Sequence, residues 1–267
     1  MKTYNQSPWS LSDLFPAHNS PEMNAGFDEL DEKVIEFEAL RPSLATDISL
    51  EAFLEVIHSL EAISRLANRI ASFASLSFSA DTQDQVIQAF KSNVESRMAL
   101  ISNRTLFFSL WWKSLDDAAS ARLMAGAGDY SYWLEEMRHF KPHTLSEAEE
   151  KVINIKDVTG ANAIVNLYST LTNRYVFTMK IGDETKELTR GELMVYARSY
   201  DPALREAAYQ ELYRVYGQDG PILGQMYQTL VRDWRNENVD MRRFSNPMAV
   251  RNLGNDVPDD VVDTLLE

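Results

Sequence analysis

The 267-residue chain contains no cysteine. That absence removes disulfide frameworks, thiolate zinc sites, iron–sulfur clusters and cysteine nucleophiles together. Histidine is scarce: His18, His58, His139 and His143 are the whole supply, which leaves little material for metal ligation or imidazole catalysis. Ten glycines and nine prolines are too few for a collagen-like or low-complexity chain. No apolar run approaches the roughly 20 residues that cross a bilayer. Residues 1–6 lack the apolar core of a signal peptide. The expectation is a cytoplasmic protein with no membrane segment.

Clustered basic residues are missing too. The net charge is −14, with −9 in residues 1–61 and −5 in residues 256–267, and the densest basic spot is Arg242-Arg243. Nucleic-acid binding needs Lys and Arg grouped to displace counterions from phosphates, so no nucleic-acid partner is expected. Anionic membranes are disfavoured for the same reason. Familiar nucleotide and hydrolase signatures are absent: there is no Gly-x-Gly-x-x-Gly, no phosphate loop and no Gly-x-Ser-x-Gly. No histidine is followed by glutamate, so the zinc-peptidase helix His-Glu-x-x-His does not occur.

What is present is helical patterning. Ser20-Pro21 reads as a cap and first-turn proline, and Phe27, Leu30, Val34 and Phe37 recur at helical spacing up to about Leu40. The acids between them fit a solvated face better than a cation site. A second helix opens near Ser49, and a third runs from Asp81 or Thr82 to Trp111-Trp112. The short link between them predicts an antiparallel helical hairpin. Of the two tryptophans, one is expected in the core and one at its rim. Shorter helices follow on either side of Gly126-Ala127-Gly128. Ser146-x-x-Glu149 is a capping box, with an interruption near Gly160.

The period then changes to two. Tyr175, Phe177, Met179 and Ile181 alternate with polar neighbours, Gly182-Asp183 suits a tight turn, and Thr185 to Leu188 pairs back. A small β-hairpin is predicted near residues 174–188. Thr189-x-x-Glu192 and Asp201-Pro202 return the chain to helix. Near the end, Asn255 or Asp256 is the expected cap of a helix carrying Val261, Val262, Leu265 and Leu266. The fold class is therefore mainly α, with long antiparallel helices and one small hairpin.

Two groups of residues hold chemistry worth weighing. Glu55-x-x-His58 and Glu136-x-x-His139 each place a carboxylate and an imidazole one helical turn apart. Two such pairs with two further glutamates build the di-metal site of helical bundles. No second glutamate pair stands out, so this di-metal carboxylate bundle is kept as an alternative only. Arg242, Arg243 and Arg251 have the forked geometry that grips a peptide carboxylate, although bridges to Asp233 or Asp256 are the commoner use of such residues. Tyr130, Tyr132 and Trp133 are candidates for a groove lining, with core packing as the plainer alternative.

From about Trp111 onward the chain resembles the pepF/M3 oligoendopeptidase F family of zinc peptidases. The resemblance is carried in order by Tyr130-Ser131-Tyr132-Trp133-Leu134, by residues 138–150 from Arg138-His139-Phe140 to Glu149-Glu150, by Thr189-Arg190-Gly191-Glu192-Leu193, by Asp201-Pro202 with Arg205-Glu206-Ala207-Ala208-Tyr209, and by Arg243-Phe244 with Asn246-Pro247 and residues 251–266. The opening Trp9-Ser10-Leu11-Ser12-Asp13-Leu14 also looks like the family's start. The resemblance implies an almost wholly helical protein with a deep groove that admits short peptides as substrates. It further implies zinc held by two helix-borne histidines and a glutamate, with the motif glutamate activating water. That motif lies beyond the residues present here. No catalytic or metal residue can be carried onto any position of this chain, and its substrate-binding residues are unknown.

The resulting expectation is three regions: an N-terminal helical hairpin region at 1–114, an oligopeptidase-F-type helical region with the hairpin at 115–190, and the incomplete start of the catalytic domain at 191–267. The chain alone should bind no cofactor and be inactive, zinc belonging to the full-length peptidase. A stand-alone helical scaffold or peptide-binding protein is the other alternative. If a catalytic half is missing, an apolar surface larger than the few hundred Å² usual for a monomer should be bare.

Overall fold

The computed structural model describes residues 10–267. Trp9, which heads the family-like opening, and residues 1–6 lie outside the described residues. Three long helices come first: α1 (Pro21–Ala39), α2 (Leu50–Ala80) and α3 (Gln85–Ser114). Each starts where a side-chain oxygen can take up an orphan amide. Ser20 Oγ accepts from the Met23 amide at 3.2 Å, and Ser49 Oγ from the Ala52 amide at 3.2 Å. The cap of α3 is Asp84, two or three residues later than the Asp81 or Thr82 expected from the sequence. Its carboxylate accepts from the amides of Val86 and Ile87 at 2.8 and 3.2 Å, while Asp81 is spent on the turn amide of Gln83.

α2 and α3 are antiparallel. Phe53, near the start of α2, stacks on Trp112 near the end of α3 at 5.4 Å. Phe73, near the end of α2, meets Phe90 near the start of α3 edge-on at 6.1 Å. α1 lies along them and buries Met23, Phe27, Leu30, Val34 and Phe37. Polar straps join α1 to α3. Arg104 donates to both oxygens of Glu38 at 2.9 and 2.6 Å, and Arg97 donates to Asp31 at 3.0 Å.

Three short helices complete this layer: α4 (Asp117–Met124), α5 (Ser131–His139) and α6 (Glu147–Thr159). The break between α4 and α5 falls at the glycines, where Gly128 takes φ +55°. Trp112 is fully buried and its indole N–H donates to the Leu134 carbonyl at 2.8 Å, which anchors α5. Trp111 is only partly buried, so the tryptophan pair divides between core and rim as the sequence predicts. The Ser146–Glu149 box is made in both directions.

After α6 come α7 (Ala161–Thr172), β1 (Phe177–Ile181) and β2 (Glu184–Leu188). The two strands pair antiparallel, with Phe177 opposite Leu188 and Ile181 opposite Glu184. Gly182 supplies the left-handed turn residue at φ +61°. α8 (Arg190–Ala197) starts on the complete Thr189–Glu192 capping box. α9 (Pro202–Gln218) starts on Asp201, which accepts from the Ala203 amide at 2.9 Å. The hairpin's Phe177, Met179 and Leu188 form a small core with Leu193, Ala208 and Val215.

α10 (Gly220–Arg235) runs into a π-helical turn over Asn236–Met241, which the sequence pattern does not announce. α11 (Pro247–Gly254) and α12 (Asp259–Leu266) follow. α12 departs from expectation at its start. Pro258 is the cap position and offers no side-chain bond. Asp256 is instead in left-handed conformation at φ +54°, and its carboxylate accepts from the Tyr132 hydroxyl.

Two compact units result. One comprises residues up to 158 with 234–267, and the other is 159–233. The first holds the large core around α1, α2 and α3, and the second holds the hairpin core. Among the described residues no helix is long and apolar enough to cross a membrane.

Candidate functional site

The densest polar arrangement lies where α6 meets the segment after α10. Arg242 donates to both oxygens of Glu150 at 2.8 Å each and through Nε to Glu237 at 2.8 Å. The Leu145 amide adds a bond to Glu150 at 3.0 Å. Burial works to raise the Glu150 carboxyl, but Arg242 and the Leu145 amide outweigh it and hold it below the ordinary range. Arg242 is pushed up mainly by its bond to Glu150. Lys113 beside them is pushed down by its own burial. His143 stacks on Phe244 at 3.5 Å, and its Nδ1–H donates to the Arg242 carbonyl at 2.9 Å.

In this cluster Arg242 and Glu150 are fully occupied with one another and with Glu237 and the Leu145 amide, so the pair closes a fold rather than opening a site. It also corrects the partners expected for Arg242, which are Glu150 and Glu237 and not Asp233 or Asp256. The signal for Glu150 could not come from local spacing, because 92 residues separate it from Arg242. Arg243 and Arg251 are exposed and form no ion pair among the described residues. Arg243 is left-handed at φ +61°.

The two Glu-x-x-His pairs are not brought together with further carboxylates. His58 is exposed and faces the edge of Tyr130 at 5.7 Å, while His139 is exposed at the end of α5. Tyr130 donates to Glu61 at 2.7 Å instead. Among the described residues no three His, Asp or Glu side chains converge to hold a metal ion. The two Glu-x-x-His pairs thus do not assemble the di-metal arrangement among the described residues.

The aromatic trio splits. Trp133 lies flat against Phe108 at 6.3 Å and belongs with the core edge. Tyr132 is 54% exposed, and its bond to Asp256 pushes its hydroxyl up to about 12.

A different surface stands out in the later part of the chain. Among the described residues, nineteen exposed large apolar side chains follow residue 150, against six before it. α10 has no buried residue at all, and shows Ile222, Tyr227, Val231 and Trp234. α12 likewise buries none, with Leu265 and Leu266 at 83% and 77% exposure. α7 buries none and shows Val165, Leu167 and Tyr168. Amphipathic helices are stable when the apolar stripe is covered, and these stripes are not.

Known proteins with this arrangement are informative. A family model described as "Oligopeptidase F" matches residues 111–177. Oligopeptidase PepF of Bacillus subtilis is 21% identical over 98% of this chain and 39% of its own length. Group B oligopeptidase PepB of Streptococcus agalactiae is 25% identical over 82% of this chain and 37% of its own. The crystal structure of oligoendopeptidase-F from Enterococcus faecium superposes with a TM-score of 0.76 and 23% identity, over 91% of this chain and 49% of that one. The chain thus spans about two fifths of the length of these curated relatives.

Proposed function

We propose that this chain is the N-terminal portion of an oligoendopeptidase-F-type protein and contributes a wall of the peptide groove in a cytoplasmic zinc peptidase acting on short peptides, a reading supported by the family model over residues 111–177 and by the similar relatives. By itself it carries out no hydrolysis. Amide hydrolysis of this class needs a metal-bound water and a carboxylate to take its proton. His139 and His143 stand four residues apart, but Phe140 follows the first and a helix break at Lys141-Pro142 lies between them, and no His-Glu-x-x-His occurs in the 267 residues. Zinc, on this reading, is held by residues this sequence does not include.

The observations that carry the reading are the uncovered apolar stripes of α7 and α10 in the second unit and, separately, of α12 in the first. An isolated wall of a larger helical body would have stripes of this kind. Residues 191–267 are then the start of the catalytic domain, 115–190 the oligopeptidase-F-type region and 1–114 the hairpin region. The deciding test is to read the coding sequence downstream of codon 267. A His-Glu-x-x-His within the next few hundred codons is expected, and its absence there overturns the proposal in favour of a stand-alone helical scaffold. Purified chain with added zinc should leave a fluorogenic peptide uncut, and zinc-dependent cleavage by it would refute the claim of inactivity.

A further inference from the structure

One face of α3 forms the floor of a long groove inside the first unit. It begins with a cleft of about 660 Å³ at Arg97, Leu100 and Arg104, and continues past Phe107 into a second of about 380 Å³ at Leu110 and Trp111. Arg41 and Phe107 line both clefts. The spacing is helical, so the same stripe of α3 floors the whole length. Volumes in this range suit a small ligand.

The two ends differ in chemistry. The first is ionic and unevenly so. Arg97 is matched by Asp31 and Arg104 by Glu38, but Arg41 and Lys151 share Glu147 alone. Arg41 and Glu147 are 2.8 Å apart and Lys151 and Glu147 2.6 Å, with Glu147 drawn down to about 2 chiefly by the Arg41 bond. Lys151 also acts on Glu38, so four cations, Arg41, Arg97, Arg104 and Lys151, meet three carboxylates, Asp31, Glu38 and Glu147. In a chain of net charge −14 this is a local positive surplus. The second end adds an apolar and aromatic patch, Leu44, Phe107, Leu110 and Trp111, beside Arg41, Ser114 and Glu147.

We infer that this groove binds the C-terminal end of a short peptide, with the terminal carboxylate at Lys151 and Arg104 and an apolar side chain on Trp111. The choice of a peptide rests on the function proposed above, and the carboxylate and apolar ends rest on the groove itself. Trp111 follows Arg104 by two helical turns, about 10 Å of rise. An extended peptide covers that in about three residues. The fitting ligand therefore has an aromatic residue three positions before its free carboxylate. The fourth carboxylate completes the alternation that three protein carboxylates leave short.

The test is calorimetry on this chain with an acetylated alanine hexapeptide carrying phenylalanine three positions before its end. The free acid should bind at sub-millimolar concentration, and its C-terminal amide about tenfold more weakly. Lys151→Met should lose affinity like the amide, and Lys151→Arg should keep it, with circular dichroism showing that both variants are folded. Equal binding of acid and amide, no binding of the acid at about 1 mM, or an unaffected Lys151→Met would each overturn the inference. So would decanoate binding as tightly as the peptide acid, because the groove would then select any apolar carboxylate. If downstream sequence refutes the peptidase reading, the difference between acid and amide still decides the groove.

Discussion

α2 and α10 are both amphipathic helices. α2 buries eight residues, among them Phe53, Ile57, Ile70 and Phe73. α10 buries none. The same contrast holds between the parts of the chain they stand for. Among the described residues, twenty-four buried apolar residues lie before residue 151 and eight after it. Sequence pattern alone does not separate these cases, because a stripe at helical spacing records only that a face is apolar. Whether that face is covered depends on what is packed against it. In the first part the cover is α1, α3 and α5. For α10 and α12 no equivalent cover exists among the described residues.

Substitutions should register this contrast directly. The largest loss is expected for Trp112→Ala, which removes a fully buried indole and its bond to the Leu134 carbonyl. Denaturant unfolding should show a loss of about 4 kcal/mol. A loss below about 1 kcal/mol would mean the first core is no tighter than the later helices.

Arg242→Met comes next, since it leaves Glu150 buried without its cation. About 3 kcal/mol should be lost at neutral pH. The pH dependence has a definite sign. Glu150 is held low in the fold, so its contribution is full above the ordinary glutamate range and drains as pH falls through its folded pKa. In the variant, burial is opposed only by the Leu145 amide and the charge of Lys113, so the carboxyl lies higher than in the parent. The gap between the two proteins should therefore narrow as pH falls through the ordinary glutamate range. A gap that widens on acidification would contradict the assigned pairing.

Thr189→Ala removes one half of the capping box at the start of α8. A loss of about 1 kcal/mol is expected, visible as earlier exchange of the α8 amides. The smallest effect belongs to Leu265→Asp on α12, whose side chain is 83% exposed. Stability should stay within about 0.5 kcal/mol, while binding of a hydrophobic dye falls. Loss of folding in this variant would show that α12 is covered in solution and would erase the contrast.

Much of this architecture was legible because its determinants are local. Ser20-Pro21, Ser49, Ser146–Glu149, Thr189–Glu192 and Asp201-Pro202 all cap helices in the structure. The alternation around Phe177 and Met179 marks the hairpin, although β1 begins two residues later than Tyr175. What failed was decided at a distance or between near neighbours. Asp81 and Asp84 compete for the start of α3, and the one that reaches two helix amides takes it. Asp256 lies two residues before the cap position of α12, and its carboxylate accepts from Tyr132, 124 residues away. The π-helical turn after α10 carries no pattern at all. The groove on α3 was not legible, since its walls come from α1, α6 and the loop at Arg41.

The pairing of Glu150 with Arg242 also sets a schedule. A ribosome adds about 5–20 residues each second. Glu150 is therefore made about 5–18 s before the arginine that neutralises it 92 residues later. Through that interval the α6 carboxylate has to stay in water, and this corner of the first unit cannot close around it. The stretch that forms in the meantime, residues 159–233, has its own small core and can fold while the first unit waits. Synthesis order thus makes the inserted unit the earlier of the two to finish, although the other begins first.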